Sequence, residues 1–294
     1  GIDLGGTKIE GILLDEKYNT IQRKRIETRQ ENGYDSIVKS IISLINELRA
    51  KTDEEISVGI CTPGVTGADS GLIKNSNTQC LIGMPLKNDL ENVLGFEIVM
   101  ENDANCFALA ESVLGSAKGY DVVFGVIIGT GVGGGISVNQ KVLQGPNKIS
   151  GEWGHVSLPN RTEDEKKYIK KCYCRKEGCI ETYLSGPGFA SIYNLKHDTN
   201  LDSHDIINGY RDDQKSLKAM ENYVNHLARG LSLIINILDP DVIVLGGGMS
   251  NIDYIYPNIN NQLKQYVFTD TLHTKVVKNI HGDSGGVRGA AWLS

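Results

Sequence analysis

Three apolar segments of this sequence run into glycine clusters: Gly5-Gly6-Thr7 after Gly1-Ile2-Asp3-Leu4, Gly129 to Gly135 after the segment from Val122, and Gly246-Gly247-Gly248 after Val242 to Leu245. Glycine lets a backbone turn with positive φ and lets its N–H groups reach an anion with no Cβ in the way, so such turns make nests suited to phosphate. A tight hairpin without a ligand accounts for any one cluster; it accounts poorly for three. The first two share one pattern, an apolar strand, a glycine turn and a second strand, so the chain contains two related halves.

Two familiar phosphate loops are excluded. Gly129-Thr130-Gly131-Val132-Gly133-Gly134 matches the dinucleotide G-x-G-x-x-G pattern formally, but Gly135-Ile136-Ser137-Val138-Asn139 alternates like a strand where that motif needs a helix N-terminus. A Walker A loop is absent, because no Gly is followed after four residues by Gly-Lys-Ser or Gly-Lys-Thr. Nucleotide binding would have to use the hairpin type of turn.

Around these turns the pattern is α/β. Ile37, Ile41, Ile45 and Leu48 lie on one face of a helix predicted from Asp35 to Leu48, and Leu217 to Leu238 has the same periodicity. Ile56 to Ile60 reads as a buried strand stopped by Thr62-Pro63-Gly64; Phe96 to Met100 reads as another, delivering Glu101-Asn102-Asp103 to a helix that begins near Ala104. Strands alternating with helices imply an α/β fold. With no low-complexity linker, the domain boundary is expected near Leu114 to Gly119. The smaller N-terminal domain would hold residues 1–117 plus a returning helix at about 284–294, and the larger one residues 118–283. The chain begins inside the first strand, which is expected to extend further.

Charges of both signs are plentiful and the net charge is −6, so there is no basic field for nucleic acid or an anionic membrane surface. No apolar run approaches the ~20 residues of a membrane span, and no secretory leader opens the sequence, so a cytoplasmic protein with a small soluble ligand is expected. Of six cysteines, three crowd between Cys172 and Cys179, which suggests metal rather than disulfide chemistry. Cys61, Cys80 and Cys106 are scattered and read as reduced core residues.

Asp3-Leu4-Gly5-Gly6-Thr7, Gly129 to Gly135 and Val242 to Gly248 resemble, in order, the two phosphate motifs and the adenosine motif of the actin-like ATPase superfamily. Glu101-Asn102-Asp103-Ala104-Asn105, Gly151-Glu152-Trp153-Gly154-His155 and Cys172-Tyr-Cys174-Arg-Lys-Glu-Gly-Cys179-Ile-Glu181 narrow the resemblance to the ROK family of sugar kinases, over essentially the whole chain. The resemblance implies two actin-like (ribonuclease H-like) α/β domains flanking a nucleotide and sugar cleft, a homodimer, and phosphoryl transfer from ATP with Mg2+ to the 6-hydroxyl of a hexose. Lys74-Asn75-Ser76-Asn77, the Gly83-Met84-Pro85-Leu86 turn and the tail from His281 to Trp292 look most like fructokinases acting on fructose and mannose. N-acetylglucosamine kinases remain the alternative.

Carried over position by position, the resemblance makes Asp103 the catalytic base; an Asp at a strand-to-helix junction is, taken alone, more often a helix N-cap, and the accompanying motifs reverse that preference. It assigns Pro63, Gly64, Asn77, Asn102, Glu152, His155 and Glu181 to the sugar. The nucleotide and its Mg2+ fall to Asp3, Gly5, Gly6, Thr7, Lys8, Gly129, Thr130, Gly131, Gly133, Gly134, Gly246, Gly247 and Gly248. Paired acceptors and amides can tell apart the hydroxyl arrangements of hexoses.

Cys172, Cys174 and Cys179 with His155, seventeen residues before the first of them, form a Cys3His set of the kind tetrahedral structural zinc takes, with reduced surface thiols as the alternative. His155 would then serve metal and sugar through its two nitrogens. Family members usually have Gly after the second cysteine, where this chain has Arg175. Sugar-responsive regulators of the same family carry a helix-turn-helix module before this core; here the phosphate strand begins at residue 1, which favours the enzyme over a regulator lacking its DNA-binding module.

Overall fold

The computed structural model of this chain describes residues 1–76, 78–282 and 285–293. Asn77, expected at the sugar, and Asp283 and Ser284 of the tail lie outside the described residues, as does Ser294. Two compact units are present, one of Gly1–Gly115, Gly135–Ser150 and His281–Ser294, the other of Ser116–Gly134 and Gly151–Ile280.

In the first unit the strands β1 (Ile2–Leu4), β2 (Lys8–Leu14) and β3 (Thr20–Glu27) precede α1 (Tyr34–Arg49), β4 (Gly59–Thr62), β5 (Val65–Thr66) and β6 (Ile73–Lys74). Then come α2 (Leu86–Leu94), β7 (Val99–Asn102) and α3 (Asp103–Leu114). After β8 (Val122–Ile128), β9 (Val132–Val138) runs back into this unit and is followed by β10 (Lys141–Val142). The second unit continues with α4 (Glu163–Lys167), α5 (Glu181–Leu184), α6 (Gly186–His197), α7 (Ser203–Gly209), α8 (Gln214–Leu238), β11 (Val242–Gly246), α9 (Ile255–Leu263) and β12 (Lys275–Lys278); α10 (Gly285–Ala291) returns to the first.

The strands pair as two five-stranded sheets, in the orders β3-β2-β1-β4-β7 and β10-β9-β8-β11-β12. Their connection orders are the same, as expected of two related halves. In the first, β1 to β3 are antiparallel while β1, β4 and β7 are parallel; in the second, β9 and β10 are antiparallel while β8, β11 and β12 are parallel. The apolar run Ile56 to Ile60 joins the sheet only from Gly59, and the strand expected at Phe96 starts at Val99.

The 3.6-residue spacing of Ile37, Ile41, Leu44, Ile45 and Leu48 puts all five on one face of α1, where they bury against Ile2, Leu4, Ile9, Leu13 and Ile60 of the first sheet. Each such side chain contributes roughly 1.5–3 kcal/mol by leaving water. Residues Gly135–Ser150 belong to the first unit, whereas the sequence placed them in the second domain. The cause is packing on α3: the hydroxyls of Ser112 and Ser137 meet at 2.9 Å in a buried contact, and Gly135 lies against the backbone of Ala104.

The last helix packs along α3, which carries Asp103. A Cβ at Gly289 would stand 1.8 Å from the carbonyl oxygen of Cys106, so the two backbones can touch only with glycine there. Gly289→Ala should therefore destabilise the protein by about 1–3 kcal/mol, the range for overpacking, read as a lower urea midpoint at unchanged slope.

Candidate active site

In the first unit, β1 and β2 pair so that Leu4 faces Ile9, leaving Gly5 to Lys8 as the turn. The Gly5 N–H donates to the Lys8 carbonyl at 2.9 Å. Thr28, just past β3, pins the turn from outside: its hydroxyl donates to the Gly5 carbonyl at 2.6 Å and its N–H to the Thr7 carbonyl at 3.0 Å. Thr7 is exposed at the tip. Asp3 is half-buried, between Glu10 and Cys61 in register. Desolvation pushes its carboxyl up to about 6; a hydrogen bond from Cys61 opposes the rise and the charges of Asp103 and Glu10 add to it.

The parallel register Thr62↔Asn102 sets the end of β4 beside the end of β7, so Pro63 and Gly64 follow one strand next to Asn102 and Asp103 following the other. Gly64 turns the chain with φ +92°. The cap of α3 is Asn102 rather than Asp103: the Asn102 Oδ1 accepts the Asn105 N–H at 2.7 Å, which leaves its amide nitrogen for other partners. Asp103 is the first residue of the helix, its Oδ1 accepting the Ala104 N–H at 2.8 Å, and its side chain is open to solvent. Desolvation by the surrounding protein raises its pKa, against the Ala104 and Asp103 N–H groups that lower it. An accessible carboxylate with a raised pKa, on a rigid helix end, is suited to accept a proton.

In the second unit, two of the three glycine turns come together. Gly129 to Gly131 link β8 to β9, with Thr130 and Gly131 exposed at the tip and the Gly129 N–H donating to the Gly131 carbonyl at 2.9 Å. Gly247, at φ +79°, lies so close to Ile128 that a Cβ would be 2.4 Å from its carbonyl oxygen, so the turn after β11 sits against the start of the turn after β8. Gly246 ends β11, buried, and Gly248 is exposed. Gly133 and Gly134 already lie within β9; Gly134 is buried and the Gly133 carbonyl accepts the Trp153 indole N–H at 3.3 Å. The turn proper is thus shorter than the glycine run.

The four expected metal ligands converge in the same unit. A short antiparallel pairing, with the Leu158 N–H donating to Gly178 and the Ile180 N–H to Val156, brings His155 beside Cys179 despite the intervening chain. The ligand atoms of His155, Cys172, Cys174 and Cys179 all lie within 4.8 Å of one another. Cys172 Sγ is 3.6 Å from His155 Nδ1 and Cys174 Sγ is 3.5 Å from Cys179 Sγ. A tetrahedron with zinc–sulfur bonds of about 2.3 Å has edges of about 3.8 Å, so the donor set and its spacing fit zinc. Burial pushes the Cys179 thiol up to about 12, so protons must leave as a metal binds and affinity would fall with falling pH.

With Nδ1 facing the thiols, His155 turns Nε2 outward, where it lies 2.8 Å from the Tyr173 hydroxyl with the rings edge to face at 5.0 Å. Although the Tyr173 side chain is 70% exposed, partial desolvation, with the carboxylates of Glu181 and Glu152 adding to it, raises its pKa to about 12. Those charges place Tyr173, Glu152, Glu181 and His155 in one neighbourhood. Tyr173 escaped the sequence reading because a residue between two metal-spaced cysteines carries no signal of its own.

Two units with sheets of one connection order, each opening on a strand, glycine turn and strand, define the fold of the actin-like sugar kinases. The chain belongs to the ROK family, whose sequence profile matches residues 1–294. It is 38% identical over 298 residues to the N-acetyl-D-glucosamine kinase of Pectobacterium atrosepticum, covering 100% of this chain and 97% of that protein. Among solved structures it is similar to a ROK hexokinase from Thermus thermophilus, with a TM-score of 0.89 and 25% identity over 100% of this chain and 96% of that one. It is also similar to a ROK family glucokinase from Streptomyces griseus in complex with glucose and AMPPNP, with a TM-score of 0.71 and 25% identity over 100% and 98% of the two chains. No helix among the described residues is long and apolar enough to cross a membrane.

Arg175, which stands in the cysteine knuckle where the sequence reading expected a glycine, has a left-handed backbone, at φ +71°. That conformation costs a residue with a Cβ about 1 kcal/mol or more, part of which glycine gives back through its freer unfolded state. Arg175→Gly should therefore stabilise the loop by roughly 0.5–1 kcal/mol. The check is thermal denaturation with zinc present, in which the variant should melt higher than the parent; an equal or lower midpoint would mean the arginine side chain compensates.

Proposed function

We propose that this chain is an ATP-dependent sugar kinase whose acceptor is N-acetyl-D-glucosamine. Asp103 carries the catalytic part of the reading: with Asn102 taking the cap of α3, its carboxylate is left accessible on a fixed helix end. For the acceptor, the support is 38% identity along the full length to a kinase of that sugar. Fructose, favoured by local turn motifs, gains no comparable support.

The reaction moves the γ-phosphoryl group of MgATP to the sugar's 6-hydroxyl. Asp103 accepts the hydroxyl proton as the new O–P bond forms and the bond to the β-phosphate oxygen breaks, releasing ADP. The turns at Gly5 to Lys8 and Gly129 to Gly131 offer backbone N–H groups to the phosphates, with Asp3 on the side of MgATP and the turn at Gly246 to Gly248 assigned to the adenosine. Asn102, through its amide nitrogen, and Glu152 and His155 in the second unit are the sugar contacts. The Cys3His cluster would hold zinc, which supplies structural cross-linking of the loop and takes no part in the chemistry. His155 Nε2 meets the Tyr173 hydroxyl at 2.8 Å, so the sugar would meet the two side chains as a pair.

ADP release, measured over N-acetylglucosamine, N-acetylmannosamine, glucose, mannose and fructose with MgATP, tests the assignment. N-acetylglucosamine should give the highest kcat/KM; a tenfold preference for fructose would sink the acceptor, and turnover of none would sink the kinase. Asp103→Asn should lower kcat by roughly 10²–10⁴-fold with both substrates still binding. A base must be ionised, so the wild-type rate should fall as pH drops through a pKa above that of an ordinary aspartate, about 3.9. The variant should lack that limb.

A further inference from the structure

We propose that Glu181 is a positioning residue for the nucleotide: one oxygen of its carboxylate holds the β8–β9 glycine turn in its phosphate-receiving shape, and the other faces the cysteine cluster. The inference rests on the kinase reading above, in which that turn receives ATP phosphates.

The turn is tied at both ends to the segment that follows the last cysteine. Glu181 Oε2 accepts the Val132 N–H at 3.0 Å, and the Gly186 N–H donates to the Gly129 carbonyl at 2.9 Å. Val132 is buried while Thr130 and Gly131 are exposed, so the bonds fix the base of the turn and leave its tip to a ligand. The other carboxylate oxygen, Oε1, accepts from Cys172 Sγ at 3.7 Å. Oε2 of Glu181 therefore already has its partner inside the second unit. The Cys172 thiol proton that Oε1 meets is lost when the cluster takes a metal, so Oε1 is the oxygen left for the sugar contact expected of Glu181 from the sequence.

An anion nest works only while successive N–H groups converge, and a glycine-rich turn left to itself samples many other shapes. Fixing one residue's backbone costs about 1–2 kcal/mol. A turn already held before the nucleotide arrives spares binding that cost, which is the physical content of preorganisation. Glu181 lies two residues after Cys179, so the loop that gathers the metal ligands and the turn that receives phosphate share one side chain. On this account the cysteine loop matters to the nucleotide as well as to the sugar.

The test compares Glu181→Ala and Glu181→Gln with wild type, in the full metal-replete chain, by calorimetric titration with Mg·AMPPNP and by amide hydrogen exchange at Val132 without nucleotide. Alanine removes the acceptor, so AMPPNP affinity should drop about tenfold and Val132 should exchange at least tenfold faster. Glutamine keeps a carbonyl oxygen for the Val132 N–H and should stay within threefold of wild type in both. The inference is overturned if the alanine variant binds AMPPNP within twofold of wild type, or if affinity falls while Val132 stays protected. Should the alanine variant not fold, wild type alone decides: a Val132 amide exchanging as fast as those of Thr130 and Gly131 rules the tie out. A wild-type protein that binds no AMPPNP overturns the nucleotide reading and the positioning role together; binding by wild type with equal binding by the variant overturns only the latter.

Discussion

The first turn of α3 is gripped by two other stretches of backbone, and the placement of the Asp103 carboxylate follows from that grip. Gly289 of α10 lies against the carbonyl of Cys106, and Gly135 of β9 against the carbonyl of Ala104, where an added Cβ would be only 2.3 Å away. Neither contact tolerates a side chain, and together they fix the helix in its place, since packed backbones have no room to slide. The parallel register of β4 and β7 then delivers Asn102 to the helix start, and its side chain satisfies an amide that would otherwise be orphaned. Asp103 receives its position from these neighbours. Its own hydrogen bond to Ala104 only fixes the rotamer.

In the second unit, the loop from Gly151 to Glu181 is held by more than its cysteines. Glu165 closes a capping box with Thr162 at the start of α4 and accepts hydrogen bonds from His226, at 2.8 Å, and from Arg229. Arg229, almost fully buried in α8, also donates to the carbonyls of Pro159, at 3.1 Å, and Asn160, at 2.8 Å. The guanidinium and imidazole beside Glu165 hold its carboxyl well below the usual range despite burial, while burial lowers the His226 pKa and disfavours its protonation. An ion pair this buried is expensive to break from one side, because the remaining charge is stranded. The stretch between His155 and Cys172 is thereby fixed to α8 independently of any metal. The ligands are brought near one another by protein contacts, which a metal would reinforce.

The fold was legible wherever one physical rule dominated. The helical spacing of Ile37, Ile41, Ile45 and Leu48 gave α1 to within a residue at each end, and glycines after apolar runs gave all three turns. The edge strand β3 was not legible, because Thr20–Glu27 reads as a polar, charged stretch. Its place comes from pairing with β2, and from Arg23 and Arg25 reaching Glu10, a carboxylate only 2% exposed on the neighbouring strand. Such a pair is invisible until the register is known. The same holds for the division of labour at Asn102 and Asp103: the sequence offered the aspartate as the cap, and only the position of the Asn105 amide gives that role to Asn102. Residues 135–150 could not be assigned to their unit from sequence, because what binds them is a serine pair and a glycine contact on α3, neither of which has periodicity.

The acceptor is hard to read from the sequence for a related reason. One of the segments behind the fructose reading does backbone work: the Ile73 N–H donates to the Met84 carbonyl at 3.0 Å and the Gly83 N–H to the Ile73 carbonyl at 2.9 Å, which closes the Gly83 to Leu86 turn on β6. Gly83 and Asn75 both have left-handed backbones, at φ +79° and +55°, the conformation for which glycine and asparagine are favoured. Leu86 is wholly buried. These residues preserve a turn, so likeness there reports the shape of the backbone before it reports the acceptor. Telling hydroxyl arrangements apart takes side chains with hydrogen-bonding atoms to offer. The Asn102 amide nitrogen is such a group, whereas His155 Nε2 is already met by a tyrosine hydroxyl that no motif had marked.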